Sequence, residues 1–181
     1  MSVGTFVVDA SKGIGIFNGT VKIIPSLNIP GFLSIRAQGD YQNASTTVSG
    51  GIVLRVRTST PEYNGFRMVL AAGTLSPGYA CRFGGTVPFS KGCYKAKFKA
   101  PRGNTFKDVM IPFSSFSDHW DPKTGDHITE CSNDPSVCPT ARALGNIEQI
   151  QVLAEGVAGY IHIELESISA KSRLYAKKNQ K

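Results

Sequence analysis

GGIVLRVRTS, residues 50 to 59, decides how the rest of the chain is read. Ile52, Leu54 and Val56 occupy every second position, and Val53, Arg55 and Arg57 fall between them. Successive side chains of a β-strand point to opposite faces, so this alternation predicts a strand with one apolar face and one face carrying arginines.

The same period of two recurs on either side. FRMVLAAG (66–73) sets Phe66, Met68 and Leu70 against Arg67, Val69 and Ala71, and with the TPEYNG turn between them the two segments predict a hairpin with arginine on its outer side. CYKAKFKAP (93–101) turns Tyr94, Ala96 and Phe98 inward and Lys95, Lys97 and Lys99 outward. FLSIRAQGDY (32–41) alternates Leu33, Ile35 and Ala37 with Phe32, Ser34 and Arg36. IGIFNGTVKII (14–24) reads as two short strands about a glycine turn. FKDVMIPF (106–113) is a strand ended by Pro112, which has no N–H for a ladder. IEQIQVLAEG (147–156) and YIHIELESISA (160–170) form two strands about GVAG, the second setting Ile161, Ile163 and Leu165 against Tyr160, His162, Glu164 and Glu166. There is no long helical pattern, heptad or internal repeat. About eight to ten short antiparallel strands imply an all-β protein, a sandwich or jelly roll.

The length of 181 residues suits one domain, read as a β-sandwich over 1–170 with a basic tail, KSRLYAKKNQK, at 171–181. The net charge of +7 fits an anionic partner. Nucleic acid is disfavoured, because single-strand binders interleave aromatics with charge, and only Tyr63 and Tyr160 stand near the basic faces. No apolar run reaches the roughly 18 residues of a transmembrane segment. The opening MSVGTFVVDASKG lacks the pattern of a secretory leader, so none fixes the compartment.

Cys81, Cys93, Cys131 and Cys138 fall in two local pairs whose spacing is unlike the tight knuckles of a zinc site, and no histidine pair completes one. No metal is expected. Disulfides Cys81–Cys93 and Cys131–Cys138 and four free thiols are both open. Two sequons, Asn18-Gly-Thr and Asn43-Ala-Ser, lean towards a secretory compartment.

Catalytic signals are few. The histidines are His119, His127 and His162, and no GxSxG elbow exists. Glu164 and Glu166 share one predicted strand face at a spacing that glycoside hydrolysis tolerates, yet pairing with Arg55, Arg57, Arg67 or the Lys95, Lys97, Lys99 row is the stronger expectation across a sheet. SKGIGIF (11–17) lacks the third glycine and the helical pattern of a dinucleotide fingerprint, so no cofactor is assigned. The chain reads as a binding protein rather than an enzyme.

GFLSIRAQG, GGIVLRVRTSTPEYNGFRMVL, CYKAKFKAPRGNTFKDVMIPFSSF and IEQIQVLAEGVAGYIHIELESISA, in that order over roughly residues 14 to 170, resemble the complex I intermediate-associated protein 30 family. The most specific element is an aromatic, two residues, Val, one residue, then an IPF-like corner and a second Phe; the family's usual Trp at the first position is Phe106 here. The resemblance implies a galactose-binding-like jelly roll that acts as an assembly factor or scaffold through protein contacts, in a mitochondrion or plastid. Phe106, Val109, Ile111, Phe113 and Phe116 would pin the corner. Arg55, Arg57, Arg67, Lys95 and Lys97, with Asp118, His119 and Trp120 on the rim, would form the contact surface. The alternative is a carbohydrate-binding module of a secreted or organelle-lumen protein, with Tyr63, Trp120 and Tyr160 as stacking platforms and His162 and Glu164 on the polar sheet floor.

Overall fold

A computed structural model describes residues 1–41, 44, 49–60, 63–72 and 92–172. Val3–Asp9 (β1) runs antiparallel to Ile14–Val21 (β2), and Ile23–Ile24 (β3) and Ile29–Pro30 (β4) form a small ribbon. Then follow Phe32–Gln38 (β5), Gly51–Thr58 (β6), Phe66–Ala72 (β7), Cys93–Lys97 (β8), Lys107–Pro112 (β9), one helical turn at Ala141–Leu144 (α1), Ile147–Glu155 (β10) and Gly159–Lys171 (β11). Five strands in the order β1-β2-β11-β6-β9 make one sheet, and four in the order β5-β10-β7-β8 make the other. The expected antiparallel β-sandwich is therefore the fold. Among the described residues no helix is long and apolar enough to cross a membrane.

The inward faces are those the alternation predicts. Leu54, Val56, Ile161 and Ile163 from the five-stranded sheet meet Phe66, Met68, Leu70, Ala96, Val152 and Ala154 from the other, all buried in one cluster. Phe98 stacks on Phe66 with 5.6 Å between ring centres, and Tyr63 meets Phe66 edge-on at 4.9 Å. Each such side chain contributes on the order of 1.5–3 kcal/mol by leaving water.

The partners of the strands differ from expectation. β6 and β7 form no hairpin, since β6 lies between β11 and β9 while β7 lies between β10 and β8. β10 and β11 likewise belong to opposite sheets. Alternation specifies which side of a strand is buried and leaves its neighbour unspecified, because strands of both sheets carry the same apolar inward face. The link after β6 crosses the sandwich, anchored where the Thr58 hydroxyl donates to the His162 carbonyl and the Tyr63 hydroxyl donates to the Val157 carbonyl at 2.9 Å. IGIFNGTV is one strand rather than two about a turn. Its glycines serve close packing: a methyl group on Gly15 would stand 2.7 Å from the Phe6 ring, and one on Gly19 would stand 2.4 Å from a Leu33 methyl.

The corner after β9 is packed largely as expected, with Ile111, Phe113 and Phe116 buried and Val109 set against the core. Phe106 departs from this, lying under the Arg57 guanidinium at 4.5 Å outside the core cluster.

The polar excursion after the corner is ordered and lies over the outer face of the four-stranded sheet. The Lys95 and Ser117 backbones exchange N–H to carbonyl bonds of 2.8 and 3.0 Å, and the His127 Nε2 donates to the Lys95 carbonyl at 2.6 Å. Arg67 and Lys95 point outward, as predicted, but this loop covers them and they are 1% and 2% exposed. Arg67 donates to the Asp126 carboxylate at 2.8 Å, and Lys95 donates to Glu155 at 2.5 Å. Lys97, at the edge, also reaches Asp126 at 3.3 Å. A disulfide joins Cys131 to Cys138, and none of the described cysteines is a free thiol. Cys81, Asn43 and the tail beyond Ser172 lie outside the described residues.

Burial pulls the Lys95 ammonium below its ordinary pKa, and the Glu155 carboxylate works against that shift. Removing one partner of a buried pair leaves the other charge unpaired, whereas removing both restores an apolar contact. Glu155→Gln is expected to cost about 3–5 kcal/mol in urea unfolding, and Lys95→Met combined with Glu155→Leu is expected to recover most of it.

Candidate functional site

The open polar surface is the outer face of the five-stranded sheet, and β11 runs through its middle. Tyr160 stands opposite Thr20, His162 opposite Asn18, and Glu164 opposite Ile16 on β2 and Arg57 on β6. These positions share one face because β11 alternates Tyr160, His162 and Glu164 with the buried Ile161, Ile163 and Leu165.

Side chains across three strands are tied into one row. The Asn18 amide oxygen meets His162 Nδ1, and His162 Nε2 lies 3.2 Å from the Glu164 carboxylate. Glu164 accepts from Arg57 Nη2 at 2.7 Å, and Arg57 Nη1 donates to the Asn104 carbonyl at 2.6 Å while the guanidinium rests on Phe106. Arg57 and its neighbours are therefore fixed before any ligand arrives. Beside them Tyr160 stands 58% exposed.

Glu166 does not continue this row. The register of β11 against β6 shifts between Leu165 and Ser167, so Glu166 sits in a bulge and pairs with Arg55, which also donates to Asp108 at 3.2 Å. Two ion pairs result, Arg57–Glu164 and Arg55–Glu166, which is the cross-strand pairing the sequence favoured. The bulge also removes the common strand face on which a Glu164–Glu166 acid and base pair rested. Arg57, and to a lesser degree His162, hold the Glu164 carboxylate below the ordinary range, although its partial burial works the other way. A general acid of a glycosidase requires the opposite shift.

The remaining predicted residues lie elsewhere. Arg67, Lys95 and Lys97 belong to the other sheet, so the single basic wall expected from the sequence is divided between opposite sides of the sandwich. Trp120, expected on the rim, is 2% exposed; its indole N–H donates to the Cys93 carbonyl at 3.1 Å and its ring faces Lys95 Nζ at 3.7 Å. Tyr63 is buried, and desolvation raises its phenol pKa. Neither ring can serve as a platform. Asp118 and His119 are half-buried in the covering loop, where His119 Nδ1 meets the Thr129 hydroxyl at 2.8 Å. Among the described residues no cluster of histidine, cysteine and acidic side chains is arranged for a metal. Sequence reasoning noticed Asn18 and Thr20 only as parts of one sequon; both fall on the outer face of β2 once its register with β11 is known.

No family model matches the chain, nor does any curated protein sequence. Among solved structures, PfGH50B superposes with a TM-score of 0.52 at 8% identity over 96% of this chain, which spans 22% of the length of that protein. The family 11 carbohydrate-binding module of Clostridium thermocellum in complex with a β-1,3-1,4-mixed-linked tetrasaccharide gives 0.49 at 14% identity, covering 91% of this chain and 82% of that one. The CtCBM11 solution structure gives 0.48 at 15% identity, covering 93% and 80%. The chain is similar to these in its fold alone.

Because the folded pKa of Glu164 lies below its unfolded value, the stability it contributes is present above about pH 4.3 and is lost as pH falls through the folded value. Glu164→Gln is expected to have a lower urea midpoint than the parent at pH 7. The two midpoints should converge as acid passes the Glu164 pKa.

Proposed function

We propose that the protein is a non-catalytic carbohydrate-binding domain and that sugar lies across the outer face of the five-stranded sheet. The observation that carries this reading is the exposed Tyr160 ring beside the row Asn18–His162–Glu164–Arg57. A sugar ring has an apolar C–H face and an equatorial belt of hydroxyls. An exposed aromatic takes the first with little loss of side-chain entropy, and fixed polar groups take the second without being ordered at the moment of binding. Thr20, opposite Tyr160, adds a hydroxyl at the same place.

The Cys131–Cys138 disulfide supports an extracellular or secretory setting, since such bonds persist where the surroundings are oxidising. It gives no support to the mitochondrial or plastid location implied by the family resemblance.

Affinity electrophoresis and calorimetry against soluble polysaccharides, the β-1,3-1,4-mixed-linked glucan among them, test the proposal. Saturable binding is expected, and Tyr160→Ala should weaken it at least about tenfold. Trp120→Phe, on the opposite side of the sandwich, should leave affinity unchanged. Binding that survives Tyr160→Ala would place the sugar elsewhere. Failure to bind any polysaccharide, together with a protein captured by the wild-type chain and released by charge reversal at Arg55 and Arg57, would return the protein to the assembly-factor reading.

A further inference from the structure

Asn18-Gly19-Thr20 on β2 is an acceptor triplet for an N-linked sugar. Such triplets are common by chance, and what sets this one apart is its place in the fold. Asn18 and Thr20 both point to the open outer face of the five-stranded sheet, while Gly19 between them faces inward opposite Ile161. Both side chains are only partly buried. Asn18 is flanked by Thr5 on β1 and by His162 on β11, and Tyr160 stands one diagonal step away, opposite Thr20.

The two ends of the Asn18 amide are used differently. Its Oδ1 accepts from His162 Nδ1, whereas its Nδ2 makes no hydrogen bond among the described residues. Attachment of a sugar replaces one hydrogen on Nδ2 and leaves Oδ1 as it is, so the row Asn18–His162–Glu164–Arg57 survives it. Thr5 and Tyr160, the neighbours on either flank, are both exposed and leave room above the amide. The oxidising compartment that the Cys131–Cys138 disulfide supports is also the setting in which such triplets are modified.

We propose that Asn18 carries an N-linked glycan, which covers the outer face at Tyr160 and His162 and competes with free polysaccharide for it. In the transfer, Asn18 Nδ2 bonds to the anomeric carbon of N-acetylglucosamine and loses one amide proton. The bond from that carbon to the oxygen of a polyprenyl diphosphate breaks, and the diphosphate departs with the electron pair. The reaction precedes folding, because in the finished sheet Asn18 is held between β1 and β11. Attachment rests on Asn18 and Thr20 alone, while the competition rests on the proposed sugar face.

The full chain, secreted from a eukaryotic cell behind a cleavable leader, tests this, with Asn43→Gln removing the other triplet. Peptide mass spectrometry is expected to find the glycan on Asn18. Thr20→Val, which keeps the Asn18 side chain, should lose it, and Asn18→Gln is the second variant should Thr20→Val fail to fold. Iodination of Tyr160, mapped by mass spectrometry, should be slower in the glycosylated chain than in the same Asn43→Gln chain made in a bacterial periplasm that lacks the transferase. Affinity for a polysaccharide that the unmodified chain binds should fall at least about tenfold on glycosylation. A folded, secreted chain with an unmodified Asn18, a glycan retained by Thr20→Val, Tyr160 iodinated equally in both forms, or undiminished polysaccharide binding by the glycosylated chain would overturn the proposal. If the unmodified chain binds no polysaccharide, the sugar-binding reading fails alone, and glycan occupancy and the shielding of Tyr160 still decide this one.

Discussion

The contact between two apolar sheet faces governs where every polar group in this protein ends up. Leu54, Val56, Ile161 and Ile163 leave water only by meeting Phe66, Met68, Leu70 and Val152, and this fixes the opposite side of each strand as outward. The outward charges are thus a by-product of core packing rather than independent choices. What differs between the two sheets is the treatment of those charges. One outer face is sealed by the loop that brings Trp120, Asp126 and His127 over Lys95 and Arg67, so its cations sit in low dielectric and need partners. The other is open to solvent, and its ion pairs are only partly buried.

The bulge at Glu166 shapes that open face. By inserting one residue opposite β6 it shifts the downstream half of β11, so Arg57 and Arg55 acquire different carboxylates instead of competing for one. Upstream of the bulge, Glu164 completes a continuous row with His162 and Asn18; downstream, Glu166 is drawn towards Arg55 and the mouth of a cleft between the two sheets. A single irregularity thereby separates two surfaces of different chemistry. One is polar with an aromatic edge, and the other is an apolar cleft between the sheets. Polar groups already bound to one another suit a hydroxylated ligand, because little entropy remains to be lost.

What the sequence determined by itself was the fold class and the sidedness of each strand. Period-two alternation in GGIVLRVRTS, CYKAKFKAP and YIHIELESISA reports burial directly, since a strand's facing is a property of neighbouring residues. It also indicated the Arg57–Glu164 and Arg55–Glu166 pairing in kind, through opposite charges on outward positions. The tertiary structure alone decided which strands are neighbours, and so divided Arg55 and Arg57 from Arg67 and Lys95. It alone buried Trp120 and Tyr63 and, of the three rings expected as platforms, left Tyr160 exposed. Those outcomes depend on contacts between segments tens of residues apart, such as Trp120 against Lys95 and Tyr63 against Val157. Local alternation carries no information about such distant contacts, because an outward side chain looks the same in sequence whether water or a returning loop covers it.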